Sequence, residues 1–158
     1  MQETMDMQGR LRLLVEDRDG RIVADRTHAN RIVKSGRQLA AQLFAGVTGT
    51  PPSKVSHMAV GTGADPATDD QTALLAERDR NAVSAPIYTE VVDSGGIKRI
   101  KVSLQTVFDF GEANGAAPLR EAGIFTAETG GTMYNRVVFD PVTKADTFKL
   151  TLIWDVVF

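Results

Sequence analysis

Residues 148–158 read FKLTLIWDVVF. Phe148, Leu150, Leu152, Trp154, Val156 and Phe158 fall at every second position and so share one face of an extended chain. Period-two alternation of this kind marks a strand with one buried face. A strand carrying Trp154 and Phe158 has to be paired and covered, either by its own domain or by a neighbour. Both residues are therefore candidates for a subunit interface.

Working back from this strand, the same period recurs. Ile100, Val102, Leu104, Phe108 and Phe110 fall on one face of residues 97–110, and Lys101, Ser103, Gln105 and Asp109 on the other. Residues 86–92 precede them across Asp93-Ser94-Gly95-Gly96, a turn sequence, which predicts a long hairpin. Residues 119–126 and 133–139 read as two more strands around Glu128-Thr129-Gly130-Gly131. Near the start, Leu11, Leu13 and Val15 alternate ahead of Asp19-Gly20, and Ile22 to Ala24 supply a return strand. Asp-Gly favours the tight turn of a hairpin.

Helical spacing is confined to two places. From Ser35, Leu39, Ala40, Leu43 and Phe44 share a stripe, with Ser35 as N-cap and Gly46 as the stop. After the short apolar run 55–60, Thr68-Asp69-Asp70 precedes Leu74 and Leu75 and predicts a second, short helix. The sum is an α+β fold: mainly antiparallel sheet, sandwich-like, with one main helix and one short one. We expect one domain over 1–158, with an N-terminal hairpin at about 9–25 and a core at about 30–158.

Composition narrows the function. Of 158 residues, 42% are hydrophobic and 24% charged, an ordinary globular balance. The net charge is −2, with both signs scattered and no basic stripe, which argues against nucleic acid as a partner. There is no cysteine, so disulfides, thiolate metal sites and cysteine nucleophiles are excluded. The first residues, MQETMDMQGR, lack the basic start and apolar middle of a signal peptide. No apolar run approaches the ~18–20 residues of a membrane-spanning helix. These features predict folding in a cytosol and no membrane partner.

Residues 57–80, HMAVGTGADPATDDQTALLAERDR, resemble a nucleotide loop at first sight. Gly61-Thr62-Gly63 is followed by Ala64-Asp65-Pro66, without the third glycine of a dinucleotide fingerprint. No Walker pattern occurs, and Asp65 would repel a phosphate. Asp65, Asp69 and Asp70 do not match the spacing of a calcium loop. With only His28 and His57, zinc has no motif, and no G-x-S-x-G marks a serine nucleophile. Glu77, Arg78, Arg80, Arg120 and Glu121 read as structural ion pairs rather than a hydrolytic pair. No catalytic residue, cofactor or metal is expected, and residues 57–80 are expected to turn a corner and brace it.

The order of these motifs resembles the N-terminal, particle-attaching region of tail fibres and baseplate-associated proteins of contractile-tailed phages and related injection systems. That pattern runs from a glycine before an apolar helix through MAVG-G, a proline, QTxLxxExxR and, after a β segment, RExGxF. Here it is carried by Gly36, by Met58 to Gly61 with Gly63, by Pro66, by Gln71 to Arg80 including Leu74, Glu77 and Arg80, and by Arg120, Glu121, Gly123 and Phe125. It covers about residues 30–140. The N-terminal hairpin departs from it, and no shaft, repeats or receptor-binding tip follow.

The resemblance implies a virion structural protein that docks or connects within a tail, assembled in the bacterial cytoplasm. Its partners would be other tail, baseplate or fibre proteins and copies of itself, as a trimer or ring. It also suggests a latch in which Arg120 and Glu121 pair with Glu77 and Arg80 and clamp the short helix to the sheet. Alternative readings are a capsid decoration, head-fibre or neck protein. From another class comes a tail-borne glycan hydrolase, for which no carboxylate motif is present.

Overall fold

The structure, a computed structural model, describes residues 7–158. The chain opens with the strands Gln8–Asp17 (β1) and Ile22–Ala29 (β2), joined through Asp19-Gly20 as expected. Asp17 closes this turn: its Oδ1 accepts the backbone N–H groups of Asp19 and Arg21. A two-residue strand, Arg31–Ile32 (β3), leads into the helix Lys34–Ala45 (α1). Then come His57–Gly61 (β4), Glu77–Ala82 (β5), Ile87–Val92 (β6), Lys98–Phe108 (β7), Leu119–Phe125 (β8), Met133–Val142 (β9) and Phe148–Val157 (β10).

The strands form two five-stranded antiparallel sheets, ordered β2-β1-β10-β7-β6 and β3-β9-β8-β4-β5. The N-terminal hairpin is no appendage. β1 lies between β2 and β10 and sends Leu11, Leu13 and Val15 into the core. β10 sits at the centre of the first sheet, and Leu150, Leu152, Trp154 and Val156 are buried against residues of β4, β8 and β9. The mainly antiparallel α+β sandwich expected from the alternation is therefore present.

Several local expectations are corrected. Trp154 is wholly buried within its own chain, and its indole N–H donates to Asn30 Oδ1 at 3.2 Å. It anchors the crossing from the first sheet to the second and is not an interface residue; only Phe158 is exposed. On β7, Leu104 and Phe108 are buried, but Ile100 on the same face is exposed, and Phe110 lies beyond the strand under Arg18.

The helix begins one residue before Ser35, after Val33, without a side-chain cap. Ser35 instead donates its hydroxyl to the Met133 carbonyl at 2.6 Å and ties α1 to β9. Gly36 permits this closeness, because any Cβ there would run into the Tyr134 carbonyl. The helix ends at Gly46, as the sequence predicts, with φ 76°. Of the apolar stripe, Leu39 is buried, whereas Leu43 and Phe44 project outward, Phe44 with 93% of its surface exposed.

These burials predict opposite outcomes for two large apolar side chains. Trp154→Ala should lower the unfolding free energy by ~3–5 kcal/mol, the usual cost of an emptied aromatic site. Phe44→Ser should stay within ~0.5 kcal/mol of the parent, as surface changes do. Urea unfolding of both variants, followed by far-UV circular dichroism, checks this.

Candidate functional site

Most of the motif residues gather on the outer face of the second sheet, the side turned away from the main core. Val33, Ala59, Leu74, Phe125 and Met133 form a separate apolar cluster there. The connection between β4 and β5 folds over it. No short helix forms in this connection. The reason is Glu121: its carboxylate accepts the backbone N–H groups of Gly63 at 3.0 Å, Leu75 at 3.0 Å and Ala76 at 2.7 Å. Backbone donors at 75 and 76 held this way cannot serve a helical ladder. The segment that follows, Glu77–Ala82, pairs with β4 as a strand.

Glu121 is fully buried, and its fourth donor is the equally buried Arg136, Nε to Oε2 at 2.8 Å. Arg136 also donates through Nη1 to the Asp65 carbonyl at 2.9 Å and to Gln71 Oε1 at 3.1 Å. One buried ion pair thus fastens both ends of the connection to β8 and β9. Gly61 and Gly63 are needed beside it: a Cβ at either would sit 2.7 Å or 2.6 Å from Glu121 Oε1. Gly123 lies against the Asn135 carbonyl of β9, where a Cβ would sit at 2.8 Å, with Leu74 at 3.2 Å.

The expected latch is therefore built differently. Glu121 does not pair with Arg80, nor Arg120 with Glu77. Arg80 pairs with Glu77 on its own strand at 2.7 Å. Its guanidinium lies 3.8 Å over the Phe125 ring and donates to the carbonyls of Ala127 and Gly130, which pins the β8–β9 turn. The other side chains of β5 hold the loop after β7. Arg78 donates to the Ala117 carbonyl at 2.6 Å, Asp79 accepts the Ala113 N–H at 2.7 Å, and Asn81 donates to Glu112 at 2.9 Å. Arg120 is half-buried at the start of β8, and Pro66 is exposed in the connection.

Two of the acids at 65–70, Asp65 and Asp69, are likewise put to structural use. Asp65 contributes its backbone carbonyl to Arg136. Asp69 takes both arms of Arg37 on α1, at 3.0 and 2.7 Å, and its carbonyl accepts the Lys34 N–H. The Arg37 guanidinium holds the Asp69 carboxyl below the usual carboxylate range. Neither residue caps a helix that follows, because none does. His57 shares a 2.8 Å hydrogen bond with Ser56, and His28 lies against Phe139.

Sequence reasoning missed Arg136, and with it the centre of the arrangement. A signal was available: Glu121 and Arg136 are opposite charges beside apolar residues in the two strands of one hairpin, whose register sets Glu121 opposite Val138 and Arg136 opposite Gly123. Charges buried in such strands require a partner. The open cleft nearest this region, about 490 Å³, is lined by Asn30, Arg31, Ala64, Pro66 and Arg136 among others. Neither a family model, nor a curated protein, nor a solved structure matches the chain.

Two measurements follow from this geometry. Glu121→Ala and Arg136→Met should each cost ~3–5 kcal/mol, because each strands a buried charge. The double variant should cost clearly less than their sum in a double-mutant cycle. Glu77→Ala, at a partly exposed pair, should cost at most ~1 kcal/mol. Alkaline pH gives the second test. Burial pushes the Tyr134 phenol up to about 12, against ~10 in an open chain. The folded state keeps a proton that the unfolded chain releases, so this contribution is whole below about pH 10 and is lost as pH rises towards 12. Melting temperature should fall across that window, and Tyr134→Phe should flatten the fall.

Proposed function

We propose that this chain is a structural component of the tail of a contractile phage or a related injection machine, placed at the baseplate or a fibre junction. It acts by fitting against other subunits, among them copies of itself and neighbouring tail proteins. The reading draws on the motif order across residues 30–140. One structural observation carries it furthest: the residues bearing that order fold together as a brace. Gly61, Gly63, Leu74, Glu121, Gly123 and Phe125 meet around the Glu121–Arg136 pair, and Arg80 stacks beside them. The Glu121 carboxylate accepts three backbone N–H groups and Arg80 donates to two backbone carbonyls, which is the work of a scaffold rather than of a reacting centre.

The motif is then a framework that fixes two loops and a sheet edge in one geometry, ready to meet a neighbour without rearrangement. Rigid presentation reduces the ordering cost of assembly. Immunogold electron microscopy of purified particles, with an antibody to this chain, tests the reading. Gold at the tail end supports it. Label at the head or neck moves the protein to the capsid alternative. Particles without label, together with cell-wall hydrolysis by the purified chain on a zymogram, would overturn it in favour of an enzyme.

A further inference from the structure

The two sheets present four edges: β2 and β6 in one, β3 and β5 in the other. Three of them carry features that discourage pairing with another chain. β3 has only two residues. β5 is densely charged from Glu77 to Arg80, with an irregular register opposite Gly61. β2 carries the Arg12–Asp25 pair along its side and meets a bulge at Val15/Glu16. β6 is the least protected: it has neither a bulge nor a run of charges, and only a single ion pair, Glu90–Lys98, of the kind β2 also carries. It reads IYTEVV, is paired in even register with β7 alone, and its one charge, Glu90, is matched by Lys98. Ile87, Tyr88 and Val92 are 65%, 69% and 64% exposed.

The register places this edge beside more apolar surface. Tyr88 lies opposite Val102, which lies opposite the buried Val156, so Tyr88 belongs to the core-facing side of the sheet. Ile100, opposite Glu90, and Phe158, bonded backbone to backbone with Ile100, are both exposed there.

We infer that β6 pairs antiparallel with β6 of a second copy, about a two-fold axis through Thr89. This deepens the proposed assembly role and rests on it. A two-fold axis normal to the sheet keeps the same face up in both copies, so it pairs residues of like parity. Only three centres lie near the middle of the strand. Centring on Glu90 sets that carboxylate against its own copy, which is repulsive. Centring on Tyr88 leaves Glu90, Val91 and Val92 without partners in the strand, whereas centring on Thr89 leaves only Val92. Centring on Thr89 opposes Ile87 to Val91, Tyr88 to Glu90 and Thr89 to itself, with no like charges facing. β-Branched and Thr–Thr pairs of this kind are among those that stabilise antiparallel ladders. The result is one continuous ten-stranded sheet across two copies, with the Tyr88, Ile100 and Phe158 corners on a common face.

Sedimentation velocity of the purified full chain should give a species of twice the 17.1 kDa chain mass. Thr89→Lys or Thr89→Glu alone should weaken that dimer about tenfold or more, by placing like charges on the axis. Mixing the two variants should restore it, because Lys then faces Glu. Ile87→Lys, away from the axis, should weaken the dimer without rescue by mixing, and thermal melts check that each variant folds. A parent chain monomeric at every concentration, Thr89 variants that still dimerise, or a mixture that stays monomeric would each overturn the inference. Tail labelling of particles reads the broader role separately. Labelled tails with a monomeric chain reject only the β6 contact, and a dimer absent from particles rejects only the tail assignment.

Discussion

A carboxylate with no access to water has to find its hydrogen-bond donors inside the protein, and around Glu121 that requirement organises the connection between β4 and β5 and ties it to β8 and β9. Four donors converge on it: three backbone N–H groups from the β4–β5 connection and the Arg136 guanidinium. Each bond constrains something different. The N–H groups of Leu75 and Ala76 end the connection as extended chain and start β5. The bond from Gly63 closes its other end. Arg136 adds the stretch around Asp65 and Gln71. Charge-assisted bonds are stronger than neutral ones, and a half-satisfied set would cost more than an apolar replacement. The arrangement is thus held as a unit, since the loss of one member exposes the others to the full penalty of burial.

β5 extends the same logic outward. A strand of alternating charges at a sheet edge usually meets solvent, yet here its side chains turn to neighbouring loops. Arg80 reaches the β8–β9 turn, and Arg78, Asp79 and Asn81 reach the loop that follows β7. Lys144, between β9 and β10, is buried against that loop and donates to its Asp109 carbonyl and to Asn114; burial pushes its ammonium down, against the upward pull of Glu112 and Asp109. The two loops and the edge strand form one connected polar layer over the sandwich. An α+β scaffold of this sort presents a fixed outline, and fixed outlines suit a part in an assembly.

The legibility of this molecule followed physical range. Where the determinant was local, the chain could be read: Leu150, Leu152, Trp154 and Val156 announce β10, Asp-Gly turns the first hairpin, and Gly46 ends α1. Where it was distant, the reading failed. Residues 71–76 have the composition of a helix start, and no feature within that window reveals that a carboxylate more than forty positions away captures their N–H groups. Trp154 was read as a candidate for a subunit interface because alternation identifies a covered face without naming what covers it; that cover is the second sheet, β4, β8 and β9. Arg136 passed unnoticed for the same reason, as its partner lies across a turn and its role is visible only once β8 and β9 are paired. Of the brace, the glycines and Glu121 were legible as a motif, and their mutual contacts were not.

The position of β10 bears on how the protein is made. Its two neighbours are β1 and β7, so the strand at the middle of the first sheet is also the last one described to leave the ribosome. Until it arrives, β1 has only β2 beside it and Leu11, Leu13 and Val15 have no core to enter. Closing so long a loop gains nothing until the contact forms, and topologies of this kind fold on the slow side, in milliseconds to seconds. Until β10 emerges, the edges of β1 and β7 that it joins in the folded chain are without their partner, and unpaired edges are what invite pairing between chains.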